Sequence, residues 1–166
     1  MINYHTVSAL LEHELVTFNR AVSILRRRNL PIKSIAVGPS ASPGLARLTI
    51  MMQTDQATAD RTARQLEKMV GVHHVAAFPS DDGIARELAL VKVRAAHDRY
   101  AELLDVALLY KAAIVDEAAD EIILEVSGSE AFVLSFLRAL ERFEVIEVAR
   151  SGAVALGRTL TAEAAP

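Results

Sequence analysis

The sequence predicts an α+β chain of two βαββαβ units in tandem. Three observations carry this. Short runs rich in Val, Ile and Leu alternate with helical apolar periodicity in the order strand, helix, strand, strand, helix, strand, and the order occurs twice. The clearest linker, Pro79-Ser80-Asp81-Asp82-Gly83, falls near the middle of the chain. The length, 166 residues, suits one ordinary domain or two small ones.

Tyr4 to Leu11 is an apolar run that reads as the first strand. After a polar break at Glu12-His13-Glu14, Phe18, Ala21, Val22 and Leu25 fall at the spacing of one helix face. Arg26-Arg27-Arg28 closes that helix, where cations favour the negative end of its dipole. Asn29 tolerates a left-handed stop, and Pro31 prevents continuation. Ile32 to Val37 and Leu45 to Gln53 read as strands around the turn Ser40-Ala41-Ser42-Pro43-Gly44. Asp55 is a suitable N-cap for a second helix with Ala59, Ala63, Leu66 and Val70 on its apolar face. Gly71 ends it, and Val72 to Phe78 is a fourth strand.

The second unit repeats the pattern. Glu87 to Ala95 is a strand, and Asp98 is expected to cap a helix with Tyr100, Leu103, Leu104, Ala107 and Leu108 inward. Strands follow at Ala112 to Asp116 and Glu121 to Val126. Ser129 caps a helix with Phe132, Val133, Phe136, Leu137 and Leu140 on one face, and Glu144 to Ala149 is the last strand. Each unit is ferredoxin-like, two helices on one face of a four-stranded antiparallel sheet. The expected divisions are 1–79, a linker at 80–83, a second domain over 84–160 and a tail at 161–166. Units of this size have thin cores and open sheet edges, so a homodimer is expected.

Composition excludes several classes. There is no cysteine, which removes disulfides, thiolate catalysis and Cys-ligated metals. The formal charge is −3, and neither half offers a basic, aromatic sheet face, so no nucleic-acid partner is expected. No apolar run reaches the roughly 18 residues of a membrane span, and no signal peptide is evident, so a cytoplasmic protein is expected. No phosphate-binding glycine loop and no nucleophile elbow is present, and no catalytic residue is assigned. His73 and His74 are adjacent, but neighbours on a regular strand face opposite ways, so no metal site is expected. Glu117, Asp120, Glu121 and Glu125 read as a solvated turn. Arg26-Arg27-Arg28 reads as a solvated helix end that could also touch phosphates.

Three stretches together resemble a known family: Leu10-Leu11-Glu12-His13-Glu14 leading to Phe18-Asn19-Arg20, Ile32 to Pro39, and Glu147-Val148-Ala149-Arg150-Ser151-Gly152-Ala153-Val154-Ala155-Leu156-Gly157-Arg158. With Leu90-Val91-Lys92-Val93, they resemble the small, regulatory subunit of acetohydroxyacid (acetolactate) synthase. The resemblance runs from Val7 to about Arg158. It implies an N-terminal ACT domain, a C-terminal ACT-like domain and dimers. It implies no catalysis by this chain and no cofactor on it. The implied partner is a large subunit using thiamine diphosphate, Mg²⁺ and FAD, which the small subunit activates and through which valine usually inhibits. The competing expectation is a stand-alone amino-acid-sensing module.

The resemblance places the effector site at Glu12, His13, Leu15, Val16, Pro31 and Ile32. Valine-sensitive members usually read Glu-Asn-x-x-Gly-x-Leu-x-Arg after the first strand. Here His13 stands for the Asn, Val16 for the Gly, and Pro31 for a later Asn. Val at a glycine position bars positive φ and fills space, and Pro donates nothing. Weakened or absent valine binding is the expectation. The resemblance also places partner contacts at Arg150, Ser151 and Gly152, with Arg150 offered to a carboxylate of the large subunit.

Overall fold

The computed structural model describes residues 4–158. The first unit consists of β1 (Tyr4–Glu12), α1 (Leu15–Arg27), β2 (Ile32–Pro39), β3 (Leu45–Gln53), α2 (Gln56–Glu67) and β4 (Val72–Pro79). Its antiparallel sheet has the order β2-β3-β1-β4. The second unit has β5 (Gly83–Arg94), α3 (Tyr100–Leu109), β6 (Ala113–Ala118), β7 (Glu121–Gly128), α4 (Glu130–Leu140) and β8 (Glu144–Arg150), in the order β6-β7-β5-β8. The twofold βαββαβ order is therefore as the sequence predicts. A ninth strand, β9 (Val154–Gly157), pairs with β5 and was not expected.

Local chemistry explains the boundaries. The chain passes out of α1 through Asn29 at φ 47°, the left-handed stop that Asn tolerates. Asp55 caps α2 by accepting the Thr58 N–H at 2.6 Å, and Ser129 caps α4 by accepting from Phe132 at 3.3 Å. The Thr58 backbone and hydroxyl bonds hold the Asp55 carboxyl below its ordinary pKa. A depressed folded-state pKa contributes stability that is full above the unfolded value and lost as pH falls through the folded one. Asp55→Asn keeps an acceptor and loses the charge. The variant is therefore expected to show a shallower loss of melting temperature than the wild type below about pH 4, read by thermal denaturation across pH.

The first core lies between the sheet and its two helices: Val7, Ala9 and Leu11 of β1, Leu48, Ile50 and Met52 of β3, Ala21 and Leu25 of α1, and Ala59 and Leu66 of α2. Val70, expected on the α2 face, lies beyond the helix and is exposed. The opposite sheet face is also buried at its centre, but with polar and small groups: Thr6, Ser8 and Thr49. Arg47 Nη1 donates to Ser8 Oγ at 3.0 Å, and the Thr6 and Ser80 hydroxyls meet at 3.2 Å.

The segment leading to β9 packs with this first unit. The Ala153 N–H reaches Ser34 Oγ on β2 at 3.5 Å, and Ala153 and Ala155 are buried. By compactness, residues 4–85 group with residues 153–158, and Arg86–Gly152 form the second unit. The expected second domain, 84–160, thus differs at its C-terminal end, and the expected linker is a 3-10 turn, Ser80–Asp82, running straight into β5. The expected tail at 161–166 lies outside the described residues.

The second core joins Val91 and Val93, Leu103 and Val106, Ile122 and Leu124, and Val133, Phe136 and Leu140. Three sequence expectations fail here. Asp98 does not cap α3: a 3-10 turn, His97–Arg99, precedes the helix, whose N-cap position is Arg99 with no side-chain cap. Arg99 is instead drawn to Glu102 Oε2 at 3.0 Å and to the Arg142 carbonyl at 2.6 Å. Leu108, expected inward, is 78% exposed, while Val106 is buried. α3 is apolar nearly all round, so periodicity does not define its inner face. Phe132 is also outside the core, its ring lying over Gly128 and 5.5 Å from that of Tyr110.

Candidate functional site

The turn from β1 into α1 builds a cavity of about 280 Å³ in the first unit. Its walls are Leu11, Leu15, Phe18, Val37 and Ala46, and its polar groups come from Glu12, His13 and Glu14. Pairing of Glu12 with Leu45, and of Pro39 with Ala46, sets the end of β2 beside this turn. The turn is held by its own backbone: the N–H groups of Glu12 and His13 donate to the carbonyls of Gly71 and Gly44, both at 2.8 Å. Those two donors are therefore occupied. The Glu12 side chain lies against Gly71. A Cβ added at Gly71, whose φ is +84°, would stand 2.6 Å from Glu12 Oε2 and 3.1 Å from Thr17 Oγ1. Only glycine fits there without displacing that carboxylate.

α1 starts here without a side-chain cap and without an acid in its first turn. The N–H groups of Leu15, Val16 and Thr17 have no intrahelical partner at that position, and they carry the positive end of the helix dipole. Such a cavity offers carboxylates to a cation, helix donors to an anion and apolar walls to a hydrocarbon side chain. These are the three needs of a zwitterion with an aliphatic side chain.

Three of the expected effector residues, Glu12, His13 and Leu15, line this cavity. Val16 does not. It is the second residue of α1, its φ is not positive, and it faces a separate concavity with Met69 and Val70. The expected steric objection to Val16 therefore does not operate inside this cavity. Pro31 and Ile32 are also elsewhere in the chain. Ile32 pairs with Met52 and the Pro31 carbonyl accepts from Gln53, at the far end of the sheet from Glu12. Glu14, Phe18 and Val37 line the cavity but were not among the expected residues. Phe18 was legible from its helix position, whereas Val37 depends on strand register.

The expected partner-contact residues are engaged within their own unit. The Arg150 guanidinium pairs with the Glu87 carboxylate, and Glu87 is only 7% exposed. Ser151 exchanges two bonds with Leu88: its N–H donates to the Leu88 carbonyl and its Oγ accepts the Leu88 N–H, both at 3.0 Å. Gly152 turns the chain at φ 72°. A second charge network surrounds Arg94, which meets Glu121 at 2.5 Å, Glu144 at 2.7 Å and Asp120 at 3.5 Å. Glu121 and Asp120 of the expected solvated turn are thus partly tied down. Among the described residues no group of three or more His, Asp or Glu could hold a metal ion, and no helix is long and apolar enough to cross a membrane. His74 pairs with Leu10, and His73 falls in an irregularity of the β1–β4 pairing.

An antiparallel sheet backed by two helices, repeated in tandem, with a small amphiphilic cavity at the first strand-to-helix turn, defines a tandem of two ferredoxin-like units of the ACT type. Family models agree on both halves. Residues 17–74 match the ACT domain of acetohydroxyacid synthase small-subunit-like proteins, and residues 86–159 match the small subunit of acetolactate synthase. The acetolactate synthase small subunit of Mycolicibacterium smegmatis is 30% identical over 154 residues, covering 93% of this chain and 91% of that one. A probable acetolactate synthase small subunit of Methanothermobacter thermautotrophicus is 33% identical over 155 residues, covering 93% and 92%. The crystal structure of the small subunit from Thermotoga maritima superposes with a TM-score of 0.88 at 32% identity, covering 96% of this chain and all of that one. The chain belongs to the acetolactate synthase small-subunit family.

Proposed function

We propose that this chain is a non-catalytic regulatory subunit that activates the large, catalytic subunit of an acetolactate synthase in branched-chain amino-acid synthesis, in the cytoplasm. Thiamine diphosphate, Mg²⁺ and FAD belong to that large subunit. The observation that carries the reading is the end-to-end match of both units to small subunits of this enzyme, over 93% of the chain.

The response to valine is weakened or absent. In support, the donors of Glu12 and His13 are spent on Gly71 and Gly44, and Glu14 adds a second carboxylate beside Glu12. An amino acid's carboxylate would then meet two like charges and rely on the first turn of α1 alone. Pro31 adds no donor.

The functional unit is a homodimer. β2 is an edge strand of its sheet, with a strand neighbour on one side only among the described residues. Antiparallel pairing of β2 with β2 of a second copy would bring that copy's Pro31 and Ile32 to the end of β2 that borders the cavity. The two halves of the expected effector site would then meet between copies.

Co-expression of the tagged chain with its cognate large subunit tests the reading. Co-elution in a fixed ratio is expected, and elution of the chain alone contradicts it. Titration calorimetry tests the effector claim: no heat from valine up to the millimolar range is expected, and micromolar binding contradicts it.

A further inference from the structure

The helical side of the first unit carries a further groove, separate from the effector cavity. It is lined by Ile24, Arg27 and Arg28 of α1 and its cap, and by Gln65 and Lys68 of α2 and its cap, with a volume of about 720 Å³. No carboxylate lines it. Arg27 Nε donates to the Ser23 carbonyl at 3.3 Å, and no ion pair or hydrogen bond among the described residues takes the side chains of Arg28 or Lys68.

Charge arithmetic decides whether the cations merely complement their helices. Both α1 and α2 end at this groove. Each C-terminus presents about half a negative charge, so the two together offset about one cation. Arg27, Arg28 and Lys68 line the groove, leaving about two positive charges without a counter-charge. Arg20 and Arg26 add to the field, and the stretch from Leu15 to Arg28 contains no acid. Glu67 is the nearest carboxylate in sequence and does not line the groove.

We propose that this groove binds a compact polyanion bearing two or more phosphate groups. The volume falls in the range of small-ligand sites. Two arginine forks and a lysine suit phosphate oxygens, the forks in bidentate geometry and the lysine as a point charge. Ile24 and the Gln65 amide would face whatever less charged part the ligand carries. The site is independent of the regulatory reading above, since it involves none of the residues of the effector cavity.

Pyrophosphate and tripolyphosphate are the probes, titrated into the full chain at low ionic strength by calorimetry. Binding is expected to strengthen from the two-phosphate to the three-phosphate probe and to weaken with added salt. Replacement of one cation, Arg28→Gln or Lys68→Gln, should weaken it about tenfold, the scale of a hydrogen bond to a charged group. Arg64→Gln, also in α2 but outside the groove, should leave it unchanged within about twofold. Thermal denaturation of each variant shows whether the fold is intact. No binding at millimolar probe overturns the proposal, as does binding that Arg28→Gln and Lys68→Gln leave unaltered. Absence of probe binding, with loss of large-subunit binding in the same variants, would make the groove a protein contact and equally overturn it.

Discussion

Arg150→Ala is expected to cost about 3 kcal/mol of folding stability, at the low end for breaking a buried ion pair. The reason lies in its partner. Glu87 is buried on β5, opposite the end of β8, and Arg150 supplies its ion pair. Alanine would leave a carboxylate without its counter-charge in a site that water barely reaches. Arg150 itself is about a third exposed, with a side-chain accessibility of 32%, which keeps the penalty from the upper end. Glu87→Gln combined with Arg150→Gln removes both charges and keeps hydrogen-bonding groups, so the pair of changes should recover much of the loss. Denaturant melts of the single and double variants measure this. A single variant as stable as the wild type, with lost affinity for the large subunit, would restore the docking role that the sequence resemblance assigns to Arg150.

Phe136→Ala is the larger expected loss, about 3–5 kcal/mol. Phe136 is fully buried at the centre of the second core and stacks at a tilt on Tyr110 with centroids 5.4 Å apart. A unit of this size has about 3–10 kcal/mol of stability in all, so the substitution removes much of what holds it folded. Hydrogen exchange resolves the effect by element. Amides of β7 and α4 should lose protection by the same free energy. A loss below about 1 kcal/mol would mean that the surrounding Leu and Val side chains collapse into the space. Phe132, four residues earlier and partly exposed, provides the contrast: its truncation should cost much less.

Helix stops and starts are legible where a single residue decides them, and the start of α3, where a 3-10 turn intervenes after Asp98, is not. Asp55 and Ser129 cap where expected, and Asn29 takes the positive φ that its side chain tolerates. The strand order followed from hydrophobic runs and turn chemistry. β9 was missed because its pattern is inverted. Ala153 and Ala155 face inward where the chain lies close to the first unit, while Val154 and Leu156 are exposed. Periodicity arguments expect the larger apolar residue inside. The site was legible only as far as it is local. Glu12, His13 and Leu15 lie within four residues of chain, so the turn alone brings them together. Val37 joins them through pairing of β2 with β3, and Pro31 is carried away by the same pairing. No single-residue rule gives that register. Val16 shows the reverse case: adjacent in sequence, it is turned by the helix toward a different concavity.

The central claim is that this chain raises the activity of another subunit while performing no chemistry itself. The most direct measurement is acetolactate formation by the cognate large subunit, with and without the chain, across a valine titration. Activation that valine leaves largely unchanged is the predicted result. No activation at any ratio of the two chains would contradict the regulatory role, and activation abolished by micromolar valine would contradict the reading of the cavity.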